Sequence, residues 1–288
     1  SVSNIQTINC MSEYAEDLTA YRRCKNTIVS GCYAHNTYNS PFDHWDTAEN
    51  AIITDCIAIN DEGTFGYKQG IQFTSDETTI PENTTTGAGE SLNVIISNNI
   101  LVNPNSEEGF GAGVILNVVN PTGTSKVKSA TITGNIIRSH EQLSPFDVSI
   151  MLYYGVVLDG DISNVTITGN TIEYANRGIS LSGDNTEACS TNITINANTF
   201  NKILEPVRVN FGDTILITGN TAINPIDVNK YFVNYAGNSN ATNIIALQNI
   251  NTGYSGQFGR FTNIRGSNTT ADTLEILKGI ESNIDLLP

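Results

Sequence analysis

The frame Asn164-Val165-Thr166-Ile167-Thr168-Gly169-Asn170 is rewritten along the chain, and this repetition limits the possible folds more than any other feature. The same spacing runs from Asn93 to Asn99, Ser129 to Asn135, Asn192 to Asn198, Thr214 to Asn220 and Asn243 to Asn249. Nearer the N-terminus it runs from Asn4 to Cys10, Asn26 to Cys32 and Asn50 to Cys56, with cysteine in the closing position. Successive copies start between 22 residues (Asn4 to Asn26) and 43 residues (Asn50 to Asn93) apart. Periods of this size belong to solenoids, in which each unit buries its apolar face against its neighbours.

Within each frame the second and fourth positions are mostly aliphatic, as in Val165 and Ile167 or Ile193 and Ile195, and the residues between them are mostly polar. That is a period of two, which marks a short strand. One such strand per repeat, stacked in register, predicts a parallel β-helix rising by roughly 4.8 Å per coil. Right-handed winding follows from the general bias of parallel crossovers. Closing asparagines would stack their amides along the axis. Cys10, Cys32 and Cys56 fit the same slot as small buried thiols. Cys24 and Cys189 complete the five cysteines, and no disulfide framework or Cys/His zinc spacing is present.

These ladder frames resemble the pectate-lyase-like superfamily of right-handed parallel β-helices and, within it, the tailspike polysaccharide depolymerases of bacteriophages. The resemblance covers about residues 1–263. It implies an all-β fold, a single right-handed parallel β-helix of about nine or ten coils. It also implies depolymerisation of a bacterial surface polysaccharide (capsule, exopolysaccharide or O-antigen), a homotrimer, and a place in the virion tail or outside the cell. The familiar pectinase motifs, paired aspartates with Gly-His-Gly and Arg-Ile-Lys, are absent, so pectin is not the expected substrate. The first frame starts at Ser3-Asn4 with no cap before it, so the chain is expected to be a piece of a longer protein. Beyond residue 263, Leu274, Leu277, Ile280, Ile284 and Leu287 take helical spacing, so 264–288 is expected to form a C-terminal cap or a short oligomerisation segment.

Charge narrows the partners. A formal net charge of −15 lacks the basic footprint that nucleic acid requires. No apolar run is long enough to cross a bilayer, so membrane insertion is not expected. Neutral or mildly acidic sugars remain compatible. No cofactor or metal is expected from the residue patterns.

A second strand follows most frames, as in Gly70-Ile-Gln-Phe-Thr, Gly113-Val-Ile-Leu-Asn, Gly155-Val-Val-Leu-Asp, Gly178-Ile-Ser-Leu-Ser and Pro206-Val-Arg-Val-Asn. Pro41-Phe-Asp-His-Trp-Asp46 occupies this place in an early coil. Alternation then turns Phe42 and His44 inward and Asp43 and Trp45 outward. Asp43, Gln72, Ile115, Val157, Ser180 and Arg208 should form one outward row. Trp45, Thr74, Asn117, Asp159, Ser182 and Asn210 should form the next.

Asp43-His44-Trp45-Asp46 is the densest reactive stretch and holds the only tryptophan. Glycoside hydrolysis needs one carboxyl to protonate the leaving oxygen and a second to activate water or attack. Asp43 and Asp46 are the expected catalytic pair, with Glu77 and Asp159 as further catalytic candidates. Tyr21, His44, Trp45, Gln72 and Arg208 are the substrate-binding candidates. Two other readings stay open. A lyase would need a base such as the Tyr67-Lys68 pair or Arg208, and a non-catalytic β-helix would only bind glycan. Finally, Ile28, Ile52 and Ile95 fall at outward ladder positions of successive coils, an apolar stripe that would suit subunit contact.

Overall fold

The computed structural model describes residues 2–60, 69–76, 90–102, 111–119, 126–139, 152–182, 190–227, 229–235 and 242–252. Every strand pairing among them is parallel, and the coils wind as a right-handed β-helix. The nine frames stack in sequence order. Ile5 aligns with Thr27, Thr27 with Ala51, Ile53 with Ile96, Ile96 with Ile132, Ile132 with Ile167, Ile167 with Ile195, Ile195 with Ile217 and Ile217 with Ala246. The predicted fold class is therefore the observed one. The proposed cap at 264–288 lies outside the described residues.

Each full coil contributes three faces: the ladder strand, a short strand after the closing residue, and a third strand that carries the Asp43 row. Inward side chains fill the bore as stacked columns. Phe42, Ile71, Val114, Val156, Ile179, Val207 and Val233 follow one another on the third face, all fully buried. Identical register on every coil lets each apolar side chain cover the one below, so no single coil needs a core of its own.

Asparagine ladders hold the corners. Asn99, Asn135, Asn170, Asn198, Asn220 and Asn249 are buried, and the side-chain amide of each of the first five donates to the next carboxamide oxygen at 2.9 Å. Cys56 joins this ladder from below, its backbone amide donating to Asn99 Oδ1 at 3.0 Å. Burial pushes the Cys56 thiol up to about 12, which leaves it an inert protonated packing group.

A second, outer ladder was not anticipated. The opening residue of every frame lies in the left-handed region, with φ from 52° (Asn26, Asn243) to 62° (Ser129). Asparagine tolerates that conformation better than other side chains. Six of these residues also bond to one another along the axis: Asn26 to Asn4, Asn50 to Asn26 and Asn93 to Asn50 at 2.9–3.0 Å, and Asn192 to Asn164 at 2.6 Å.

The third face opens at a crowded position. A Cβ on Gly178 would lie 2.4 Å from the Pro206 carbonyl and 2.5 Å from the Phe200 ring. At Gly178 the absence of a Cβ lets the strand approach both the next coil and the opposite wall. Pro41 and Pro206 take the same position at the two ends of the row.

Candidate functional site

The outward rows on the third face have the predicted register. Asp43 aligns with Gln72, Gln72 with Ile115, Ile115 with Val157, Val157 with Ser180 and Ser180 with Arg208. Beside it Trp45 aligns with Thr74, Thr74 with Asn117, Asn117 with Asp159 and Asp159 with Ser182. One row thus links the two polar centres of the molecule.

The first centre is built on the strand Phe42–Thr54. Asp43 points away from the bore, yet it is only 1% exposed. Its Oδ2 accepts a hydrogen bond from Trp45 Nε1, and its Oδ1 has no partner among the described residues. Burial pushes the Asp43 carboxyl up to about 7, and the nearby charge of Asp17 adds to the rise. The Trp45 donor and the dipole of the His44 amide pull in the other direction and lose. Near neutrality the group is therefore poised between acid and carboxylate. Trp45 itself stays 38% exposed, with its indole pinned at the nitrogen and its ring available to solvent.

Gln72 continues the polar cluster on the next coil. Its Nε2 donates to Thr74 Oγ1 at 2.8 Å, and its Oε1 accepts from Ser40 Oγ at 3.2 Å. Ser40 Oγ is also within 3.0 Å of Gln69 Oε1. Below, Asp17 Oδ1 accepts from the Ser40 amide and from Asn39 Nδ2, both at 3.0 Å. Asp17 was not among the expected site residues, because it sits in an irregular turn where no period points to it.

Two expected substrate-binding residues face the other way. His44 lies in the bore at 2% exposure, stacked on Phe73 at 4.5 Å and edge-on to Tyr21 at 5.0 Å. Its Nε2 lies 3.2 Å from Thr27 Oγ1, and burial pushes its pKa down to about 3. It is a neutral core residue and has no access to a sugar. Tyr21 is the register partner of His44, packs partly against the core, and hydrogen-bonds through its hydroxyl to Thr7. Neither side chain shares the outer surface with Asp43, because alternation puts both in the bore.

The second centre lies five coils along the row, about 24 Å from the first at roughly 4.8 Å per coil. Arg208 donates to Glu205 Oε2 at 3.1 Å and to Asn210 Oδ1 at 3.0 Å. Glu205 also pairs with Arg177 at 3.6 Å and accepts from Asn234 at 2.6 Å. Arg177 reaches Tyr154 Oη at 2.8 Å and lies over its ring. The Arg208 guanidinium is thus committed to a structural ion network. Asp159 lies three coils from Trp45, about 14 Å away, so it is not gathered into the first centre. Glu77, Tyr67 and Lys68 lie outside the described residues, as does the side chain of Asp46. The expected Asp43–Asp46 pair is therefore described on one side only.

No protein-family model matches this chain, and no curated protein matches it. Among solved structures it is similar to the crystal structure of a hyperthermoactive exopolygalacturonase from Thermotoga maritima, with a TM-score of 0.58 and 16% sequence identity. The likeness covers 88% of this chain and 55% of that one, so this chain spans little more than half its length. At that identity what the two share is the parallel β-helix.

Proposed function

We propose that this protein recognises and depolymerises a bacterial surface polysaccharide by hydrolysis, as part of a phage tailspike-like assembly, with Asp43 as the general acid. The observation that carries this reading is the buried, half-bonded Asp43 carboxyl beside an exposed tryptophan. A protonated acid near neutral pH is what departure of a glycosidic oxygen needs. An indole ring offers the flat apolar surface on which a sugar ring packs. The exopolygalacturonase likeness supports a β-helix that degrades polysaccharide, while the absent pectinase motifs turn the substrate away from pectin. Contact between Asp43 and a glycosidic oxygen requires the Trp45 indole to release Oδ2 when substrate binds.

Incubation with a panel of capsules, exopolysaccharides and O-antigens tests this. Hydrolysis predicts shorter chains and new reducing ends without new ultraviolet absorbance. A product with an unsaturated uronate end would replace hydrolysis with β-elimination. The burial of Asp43 favours a second reading, in which the carboxyl only orients Trp45 and the rod binds glycan uncut. Polysaccharide that quenches Trp45 fluorescence and keeps its length would establish that reading instead.

We also propose a homotrimer. Ile28, Ile52 and Ile95 align on successive coils of the ladder face, and Ile95 is 39% exposed. A contiguous aliphatic stripe of this kind is a typical subunit contact. Light scattering should give three times 31.0 kDa, and Ile52→Asp should shift it toward the monomer. A monomeric wild type would refute the assembly.

A further inference from the structure

Hydrolysis needs a second group to take a proton from water or to attack, and the geometry points to a residue one coil below Asp43. Residues 15–19 run under residues 38–41: the Leu18 and Thr19 amides donate to the Pro41 carbonyl, and the Asn39 amide donates to the Glu16 carbonyl. This pairing fixes Asp17 beneath Ser40. Both hydrogen bonds to its carboxylate go to Oδ1, so Oδ2 has no partner among the described residues. Asp17 is half-buried, unlike Asp43, and its outer oxygen can meet water.

Ala20 is the register partner of Asp43, so Asp17 lies one coil down and three residues back. With strand geometry the backbone offset is at most about 11 Å, from which side chains leaning together would reach the roughly 6.5–9.5 Å of an inverting pair. Ser40 ties the two halves together, with its amide on Asp17 and its hydroxyl on Gln72, the neighbour of Asp43.

We propose that Asp17 is the base of this site, working across adjacent coils with Asp43 as the acid. This rests on the hydrolytic function proposed above. The Asp43 proton passes to the glycosidic oxygen as the bond from that oxygen to the anomeric carbon breaks. Water forms the new bond to that carbon, and its proton goes to Asp17. Exchange with solvent then returns the Asp17 proton and restores that of Asp43, so water is the only co-reactant. The groups around the pair agree with these roles. Burial and the charge of Glu16 raise the Asp17 carboxyl, the charge of Asp17 in turn raises Asp43, and Arg22 lies beside Trp45 on the coil below. His44 and Tyr21 meet edge-on and pack against the core rather than beside the pair. The side chain of Asp46 is outside the described ones, so its claim on the same role is decided by experiment.

Asp17→Asn keeps an acceptor for Ser40 and Asn39 and so preserves the turn. On a polysaccharide that the wild type cuts, it should lower kcat by about 10²–10⁴-fold with little change in KM. Azide should restore turnover to Asp17→Ala by forming a glycosyl azide, which a merely structural role would not allow. A second readout does not depend on activity. Trp45 is the only tryptophan and donates to Asp43, so its fluorescence should titrate with a midpoint near 7. That midpoint should fall in Asp17→Asn, because the neighbouring charge is gone. Cleavage by the wild type together with full activity in Asp17→Asn, or an unmoved fluorescence midpoint, overturns Asp17 and leaves hydrolysis standing. A wild type that cuts nothing in the panel removes the hydrolytic function and the pair with it.

Discussion

Asp43 and Glu205 are both buried carboxyls on the same face, at 1% and 6% exposure, and they have opposite surroundings. Glu205 is met by two guanidiniums and the Asn234 amide, so its charge is matched on every side. Asp43 is met by one neutral indole donor and a second carboxylate, with one oxygen left over. Polar density alone would rank the Glu205 centre higher, since it has more hydrogen bonds. The difference teaches that a satisfied network records stability, whereas a buried group left incomplete keeps capacity for something not yet bound.

The contrast can be broken most sharply at Asp43. Asp43→Asn should lower polysaccharide cleavage by about 10²–10⁴-fold, measured as reducing ends, while binding persists and the protein stays folded. Loss of binding together with cleavage would instead make Asp43 a support for Trp45.

The same substitution should show in the dependence of stability on pH. The folded pKa of Asp43 is raised from 3.8 to about 7, so the folded state holds a proton that the unfolded state releases. This stabilises the fold at low pH. Stability is lost as pH rises from about 4 to 7, on the order of 4 kcal/mol in all, with no further change above. Asn has no such dependence. Urea unfolding of the two proteins should therefore show Asp43→Asn gaining on the wild type across that interval, and parallel curves would contradict the shift.

At the other end, Glu205→Gln leaves Arg177 and Arg208 facing each other without their shared carboxylate. Breaking a fully buried pair costs about 3–5 kcal/mol, but both guanidiniums reach solvent here, so about 2 kcal/mol is expected by urea unfolding. Cleavage at the Asp43 end should be unchanged, because the two centres lie about 24 Å apart. A fall in activity equal to that of Asp43→Asn would merge the two centres into one site.

Much of this layout was legible in the chain. The seven-residue frame carried the coils, and period two carried the outward rows from Asp43 to Arg208. The same alternation, extended one coil down, also turns Tyr21 inward beside His44. Three things were hidden for physical reasons. Asp17 meets Ser40 through a turn with no period, across coils of unequal length. Glu205 escapes the alternation because Pro206 resets the phase before Val207. The outer ladder at Asn4, Asn26 and Asn50 reflects a left-handed backbone, which composition suggests only once the coil geometry is known.

Carbon-13 NMR titration of the Asp43 side-chain carboxyl tests the central contrast most directly, with Asp43→Asn used to assign the signal. The account predicts a midpoint at about 7, set by burial and by the charge of Asp17. A midpoint near the ordinary aspartate value of about 3.9 would contradict it, because Asp43 would then be a solvated or fully matched anion at neutral pH and could not serve as the acid.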